Sequence, residues 1–170
     1  MWIRKIYIDK GGAILKIGVI SDTHRYIGDA TSLVNSLSNV NLIIHLGDNV
    51  EDVKILSSVY KGKIINVRGN CDFSKQTPSE LIENIGGKRF FITHGNRYDV
   101  KYDLAKLRYR ALELEADIVL FGHTHISQIE YIDGIWFINP GSPTLPRNGV
   151  RSIAVIGIDG DKVVPVIKKI

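Results

Sequence analysis

One cysteine, Cys71, is all the chain contains, which excludes an internal disulfide and a zinc site built from several thiolates, and is compatible with a reducing compartment. Long apolar runs are missing too. None approaches the ~20 residues of a membrane span, and Met1-Trp-Ile-Arg-Lys-Ile-Tyr7 lacks the apolar block of a signal peptide. A soluble, cytoplasmic protein with no membrane partner is the expectation. Nor is there a run of like charge. The net charge of +4 favours an anionic ligand, but the basic residues are scattered, so no specific nucleic-acid partner is indicated.

What is present suffices for one core. A chain of 170 residues, 44% hydrophobic and 24% charged, fits a single globular domain. Lys16–Ile20, Leu42–Leu46, Ile64–Val67, Arg89–Ile92 and Asp117–Phe121 are short, rich in β-branched or aromatic residues and bounded by Gly or Asp, and read as strands. Between them, Asp29–Leu37, Glu51–Tyr60 and Val100–Glu115 read as helices. Asp29 is placed to cap the first, and Leu104, Leu107, Ala111 and Leu114 form a core-facing stripe on the third. Hairpins are expected about Gly86-Gly87, Asp133-Gly134 and Asp159-Gly160. Alternating βαβ units followed by hairpins predict an α/β fold, a four-layer α/β/β/α sandwich with two mixed sheets. Residues 1–15 read as an N-terminal extension, either an extra edge strand or a poorly ordered segment, and 16–170 as the single domain.

Each strand is followed by a group able to bind metal. Asp22-Thr-His24 follows the first, Gly47-Asp48 the second, Gly69-Asn-Cys-Asp72 the third, His94-Gly95 the hairpin strand and Gly122-His-Thr-His125 the next. Crevices beyond the carboxyl ends of strands are where α/β folds build their sites, so these loops are expected to converge. Mixed nitrogen and oxygen donors without thiolate suit Mn, Fe, Zn, Ni or Co. Seven ligands are too many for one tetrahedral ion and suffice for two that share a carboxylate, an arrangement able to bind phosphate and activate water.

In this order the motifs resemble the calcineurin-like metallophosphoesterases, and Gly69-Asn-Cys-Asp72 with Asn139-Pro-Gly-Ser142 is most similar to the YfcE-type phosphodiesterases, over about residues 16–165. The resemblance implies a metal-dependent phosphodiesterase. It assigns Asp22, His24, Asp48 and His125 to one divalent ion and Asp48, Asn70, His94 and His123 to the other, with Asp48 as the bridge. Manganese is the first expectation, with Ni, Co, Fe, Zn or Mg as alternatives. The catalytic set is then Asp48, Asn70, His94 and Cys71, and the substrate a small or nucleotide-like phosphodiester. A phosphomonoesterase or cyclic nucleotide phosphodiesterase on the same site, and a non-catalytic scaffold like the retromer subunit of this fold, are the alternatives. Intact ligand positions speak against the scaffold.

One position departs from the pattern. Many phosphomonoesterases of this superfamily carry histidine after Gly-Asn, where this chain has Cys71, which puts general-acid assistance from that place in doubt. Cys71 reads either as a small buried filler or as a substrate-facing thiol. Asp72 is expected to orient a ligand from behind it, Arg97 and Arg147 to reach the phosphate, and His45 to be a satisfied core histidine. Read singly, Asp48 and Asp72 are also turn formers and Asn70 an αL residue. A homodimer is allowed by the sequence and not specified by it.

Overall fold

Strict alternation along the central strands sends apolar side chains to both faces of each sheet, the pattern of strands covered on both sides. The computed structural model describes residues 4–6, 14–74 and 76–170. The elements run β1 (Arg4–Ile6), β2 (Leu15–Ile20), α1 (Ala30–Ser36), β3 (Leu42–His45), α2 (Asp52–Val59), β4 (Lys63–Asn66), β5 (Glu80–Ile85), β6 (Lys88–Thr93), α3 (Ala105–Glu113), β7 (Ile118–Leu120), β8 (Ser127–Ile132), β9 (Ile135–Pro140), β10 (Ser152–Asp159) and β11 (Lys162–Lys169). They form two mixed sheets, one in the order β1-β5-β6-β7-β9-β8 and one in the order β11-β10-β2-β3-β4.

Ile17, Leu42, Ile44, Phe90, Ile92, Ile118 and Leu120 meet in the core between the sheets. Their strand neighbours point the other way. Phe91, Val119 and Phe137 pack on Leu107, Ala111 and Leu114 of the α3 region, while Ile20, Ile43 and Ile153 pack on Leu33, Leu37 and Leu56 of the α1 and α2 layer. The predicted four-layer α/β/β/α sandwich is therefore the fold. No helix among the described residues is long and apolar enough to cross a membrane.

Local differences have local causes. Asp29 caps α1 through a bond from Ser32 N–H to its Oδ1. The third helix begins at Ala105, not at Val100: a 3₁₀ turn over Asn96–Tyr98 is followed by Asp99 at φ 54°, and Asp103 Oδ1 accepts the Ala105 N–H at the true start. Arg4–Ile6 adds a parallel edge strand beside β5, pairing Arg4 with Glu83. The rest of the proposed extension, 1–3 and 7–13, lies outside the described residues. Leu15, placed in the extension by the sequence, opens β2, pairs with Ile158 and is buried in the core, and we propose 16–170 with Leu15 as the domain and the preceding residues as an addition to it.

Candidate metal centre

Strand register brings the ligand loops level. Ile20 pairs with His45 and His45 with Asn66 in one sheet, and Ile92 with Leu120 and Leu120 with Ile138 in the other, so the loops leave both sheets at the same end. Backbone bonds then tie neighbouring loops within each sheet. Asp22 N–H donates to Gly47 O at 3.0 Å, His24 N–H to Asp48 O at 2.9 Å, and Gly122 N–H to His94 O at 2.8 Å. Gly69 matters sterically: a Cβ there would lie 2.1 Å from Asp48 Oδ1, so only glycine lets this loop pass the carboxylate.

Within this frame the structure brings six of the seven predicted ligands together. Asp22, His24, Asp48 and His125 form one cluster and Asp48, His94 and His123 a second, with the donor atoms of each within 4.8 Å of one another. Asp48 belongs to both. His94 Nδ1 donates to Leu46 O at 2.8 Å and His125 Nδ1 to Leu145 O at 2.7 Å, which fixes each ring and turns Nε2 inward, the usual support of a ligating imidazole. Asp22 Oδ2 is saturated by Ser21 Oγ and His123 N–H, and Asp48 Oδ1 by Cys71 N–H. Their other oxygens face the imidazoles: Asp22 Oδ1 stands 3.2 Å from His125 Nε2, and Asp48 Oδ2 3.3 Å from His94 Nε2 and 3.6 Å from His24 Nε2.

These close approaches are not hydrogen bonds at every atom. Asp22 Oδ1 and His94 Nε2 are buried with no hydrogen-bond partner among the described residues, a costly arrangement unless something else satisfies them. His24 Nε2 and His125 Nε2 face each other at 3.2 Å, and two lone pairs so placed need a proton or a cation between them. Burial would raise both carboxyls, yet the approach of His94 to Asp48, and of His125 and then the His94 charge to Asp22, outweigh it and hold both below the usual carboxylate range. Conversely, burial would lower His94, but Asp48 and Asp22 keep it raised, while contact with Asp22 raises His125. Two buried aspartates thus demand positive charge. The donors fit a divalent cation, which satisfies the orphaned oxygen and nitrogen together.

The backbone carries a further mark. Asp22, His24, Asp48, His123 and His125 all adopt positive φ, between 48° and 68°. Left-handed backbone costs a residue other than glycine roughly 1 kcal/mol or more and gathers where function requires it. No sequence signal announces it.

Other predicted residues fall differently. Asn70, an amide and so outside any count of imidazole, thiol and carboxylate donors, is exposed, and its Nδ2 donates to Cys71 Sγ, next to the Cys71 N–H that binds Asp48 Oδ1. It is not among the residues of positive φ. Cys71 is exposed, which overturns the buried-filler reading. Asp72 accepts N–H bonds from Asp48, Gly69 and Val50 at 2.8–2.9 Å and so fixes the loop that carries Asp48. Arg97 is held by Ser79 Oγ and Glu80 Oε1, away from the clusters, whereas Arg147 donates its N–H to His125 O. Residues without an expected role also matter: Asn139 Nδ2 donates to Gly122 O and Thr124 Oγ1, Ser142 Oγ to Asp22 O, and Asp52 accepts from Arg25 N–H.

Comparison with known proteins agrees with the geometry. The family model of the calcineurin-like phosphoesterase superfamily domain matches residues 15–161. The chain belongs to this superfamily. A probable metallophosphoesterase of Methanocaldococcus jannaschii is 38% identical over 88% of this chain and 78% of its own length. A phosphodiesterase of the same organism is 28% identical over 84% and 92%. Among solved structures, a predicted phosphoesterase of Streptococcus pneumoniae superposes with a TM-score of 0.76 at 32% identity, covering 92% of this chain and 90% of that one. Zinc-complexed Vps29 of Entamoeba histolytica, at 20% identity, TM-score 0.75 and coverage of 92% and 98%, shares the fold alone.

His45, at the heart of the phosphoesterase loops, is wholly buried: its Nδ1 accepts the Gly47 N–H at 3.2 Å, so its proton sits on Nε2, 3.1 Å from Thr23 Oγ1. The ring joins the loops of Asp22 and Asp48 in its neutral form. Desolvation pushes it down to about 4. Between pH 6.5 and 4 the unfolded chain therefore takes up a proton that the folded one refuses, and this contribution falls as pH falls. In metal-free protein, the stability difference between wild type and His45→Asn should shrink by about 2 kcal/mol from pH 7 to pH 5. Urea unfolding of both at the two pH values measures it, and a constant difference would show that the ring takes up its proton without cost.

Proposed function

We propose that the chain is a phosphodiesterase that works with two divalent ions, manganese foremost. Asp22, His24, Asp48 and His125 hold one ion, and Asp48, Asn70, His94 and His123 the other. The observation that carries this reading is the convergence of inward-turned imidazole nitrogens on two carboxylate oxygens, with Asp22 Oδ1 and His94 Nε2 left unsatisfied. When bound, such a pair activates water and offsets the charge that develops on the phosphoryl oxygens during in-line displacement.

The chain's own part is positioning and exclusion. Leu46 O and Leu145 O hold two imidazoles in the ligating tautomer, and Asp72 holds the loop of the shared carboxylate. Cys71 sits where a leaving group needs help. Burial and the charge of Asp48 push its thiol up to about 11, so at neutral pH it is neither nucleophile nor anion. As a proton donor it is weaker than an imidazolium, which suits a diester with a good leaving group better than a dianionic monoester. The relative named a phosphodiesterase supports the same choice. Small or nucleotide-like diesters in the cytoplasm are the proposed substrates.

Metal-stripped protein should gain hydrolysis of bis-nitrophenyl phosphate on addition of Mn²⁺, lose it on addition of EDTA, and act faster on this diester than on nitrophenyl phosphate. Absence of hydrolysis with every metal of the series from Mg to Zn would remove the enzymatic reading, and a preference for the monoester would remove the diester assignment.

A further inference from the structure

We propose that the cleft beside the His123–His125 turn seats one arm of the diester, and that it selects an arm bearing a flat ring and a further phosphate, that is, a nucleotide. This rests on the phosphoesterase reading above and adds the substrate class. An open cleft of about 390 Å³ is lined by Lys101, Tyr102, Thr124, Ile126, Gln128 and Arg147 among others. It adjoins the loop that carries His123 and His125. Thr124 lies between the two histidines, and Arg147 N–H is bonded to His125 O at 3.2 Å.

The charges of this cleft are arranged for an anion. Elsewhere on the same side of the fold Arg97, Lys106, Arg108 and Arg110 are each matched with an acid, Glu80, Asp99, Asp133 and Glu113 respectively. Lys101 and Arg147 have no ion-pair partner among the described residues. The acid of the lining, Asp103, turns Oδ1 to the Ala105 N–H at the start of α3. Two free cations within one cleft suit a phosphate, to which Arg can present a bidentate face.

Apolar exposure points to the rest of the ligand. Tyr102 is 89% exposed and Ile126 43%, both on the cleft wall. An exposed aromatic beside free cations is the equipment for stacking a base while its phosphate is held, and Gln128 and Thr124 add donors and acceptors for its edge. A larger cleft of about 620 Å³ near Tyr26 contains Arg151 as its one cation, and that guanidinium donates to Pro143 O. It offers no comparable anion seat. Hydrolysis of the ester so held adds the water hydroxyl to phosphorus, breaks the bond from phosphorus to one ester oxygen, and returns the proton to that oxygen.

Two measurements test this. With EDTA present, thymidine 5′-monophosphate should bind at least about tenfold more tightly than thymidine or inorganic phosphate by calorimetry, and Lys101→Gln and Tyr102→Ala should each weaken it by about fivefold or more. Both side chains are exposed, so the fold survives the changes. Equal binding of the three probes, or variants that bind as wild type does, overturns the proposal. With Mn²⁺, the ratio of kcat/KM for a terminally phosphorylated thymidine dinucleotide to that for bis-nitrophenyl phosphate should fall about tenfold in each variant, and an unchanged ratio would also overturn it. If wild type cleaves neither ester, the phosphoesterase reading fails while monophosphate binding still decides the cleft.

Discussion

Asp48→Asn should leave a folded protein whose Mn²⁺-dependent hydrolysis of bis-nitrophenyl phosphate is lower by roughly three orders of magnitude or more. Asp48 is the residue common to both clusters, and its two oxygens have separate duties: Oδ1 accepts the Cys71 N–H at 2.8 Å while Oδ2 faces His94 and His24. Asparagine can keep the first duty, since its carbonyl still accepts from Cys71. It cannot keep the second, because an amide brings N–H groups or a neutral oxygen where two cations need a shared anion. Thermal unfolding of the metal-free variant should stay near that of wild type, and bound metal should fall. Retention of more than about a tenth of wild-type activity would remove Asp48 from the bridging role.

Gly69→Ala should also cost activity, by an indirect route. Its φ lies outside the left-handed region, so alanine is conformationally acceptable, and the whole effect must come from the added methyl 2.1 Å from Asp48 Oδ1 and 2.8 Å from Asp48 N. To relieve that overlap the carboxylate or the Asn70–Asp72 loop must move, breaking the Cys71 N–H bond or the Asp72 bonds to Asp48 and Gly69. Misplacement by an ångström costs on the order of 10²-fold in rate. Metal titration followed by melting temperature should show weaker Mn²⁺ binding, and kcat should fall by about that factor. Gly134→Ala is the control: its Cβ meets nothing within 4 Å, and its left-handed φ of 81° makes it costly to stability alone. Equal kinetics for Gly69→Ala and Gly134→Ala would mean that the close approach does not position the carboxylate.

The strands and their terminal ligands were legible because two simple signals coincide. Continuous short apolar runs such as Leu42-Ile-Ile44 mark buried strands, and a polar or ligating residue at the end of each run marks the loop beyond it. Six of the seven expected ligands meet for that reason. The start of α3 was not legible, since Val100 and Leu104 continue the apolar spacing while Asp103 Oδ1, by accepting the Ala105 N–H, marks the start five residues later. Arg97 looked well placed beside His94, yet Glu80, seventeen residues away on β5, takes its guanidinium. The supports supplied by Asn139, Ser142 and Asp52 are contacts between loops distant in sequence, which spacing cannot reveal.

The division of the ligands between the sheets has a mechanical result. Asp22, His24 and Asp48 ride on loops after β2 and β3, while His94, His123 and His125 follow β6 and β7 of the other sheet. Between the sheets below them lies a layer of aliphatic and aromatic side chains, which resists separation but has no directional lock against sliding. The bonds from His94 Nδ1 to Leu46 O and from His123 N–H to Asp22 Oδ2 already join the loops of the two sheets, and an ion held from both sides, as proposed, would add a rivet at the same end of the sandwich. Shear of one sheet past the other then requires breaking coordinate bonds, whereas fraying of the outer strands β8 and β11 does not. Loading the site therefore raises the cost of the opening that parts the two halves and leaves the edges as loose as before, so that metal sets which portions of the molecule open together.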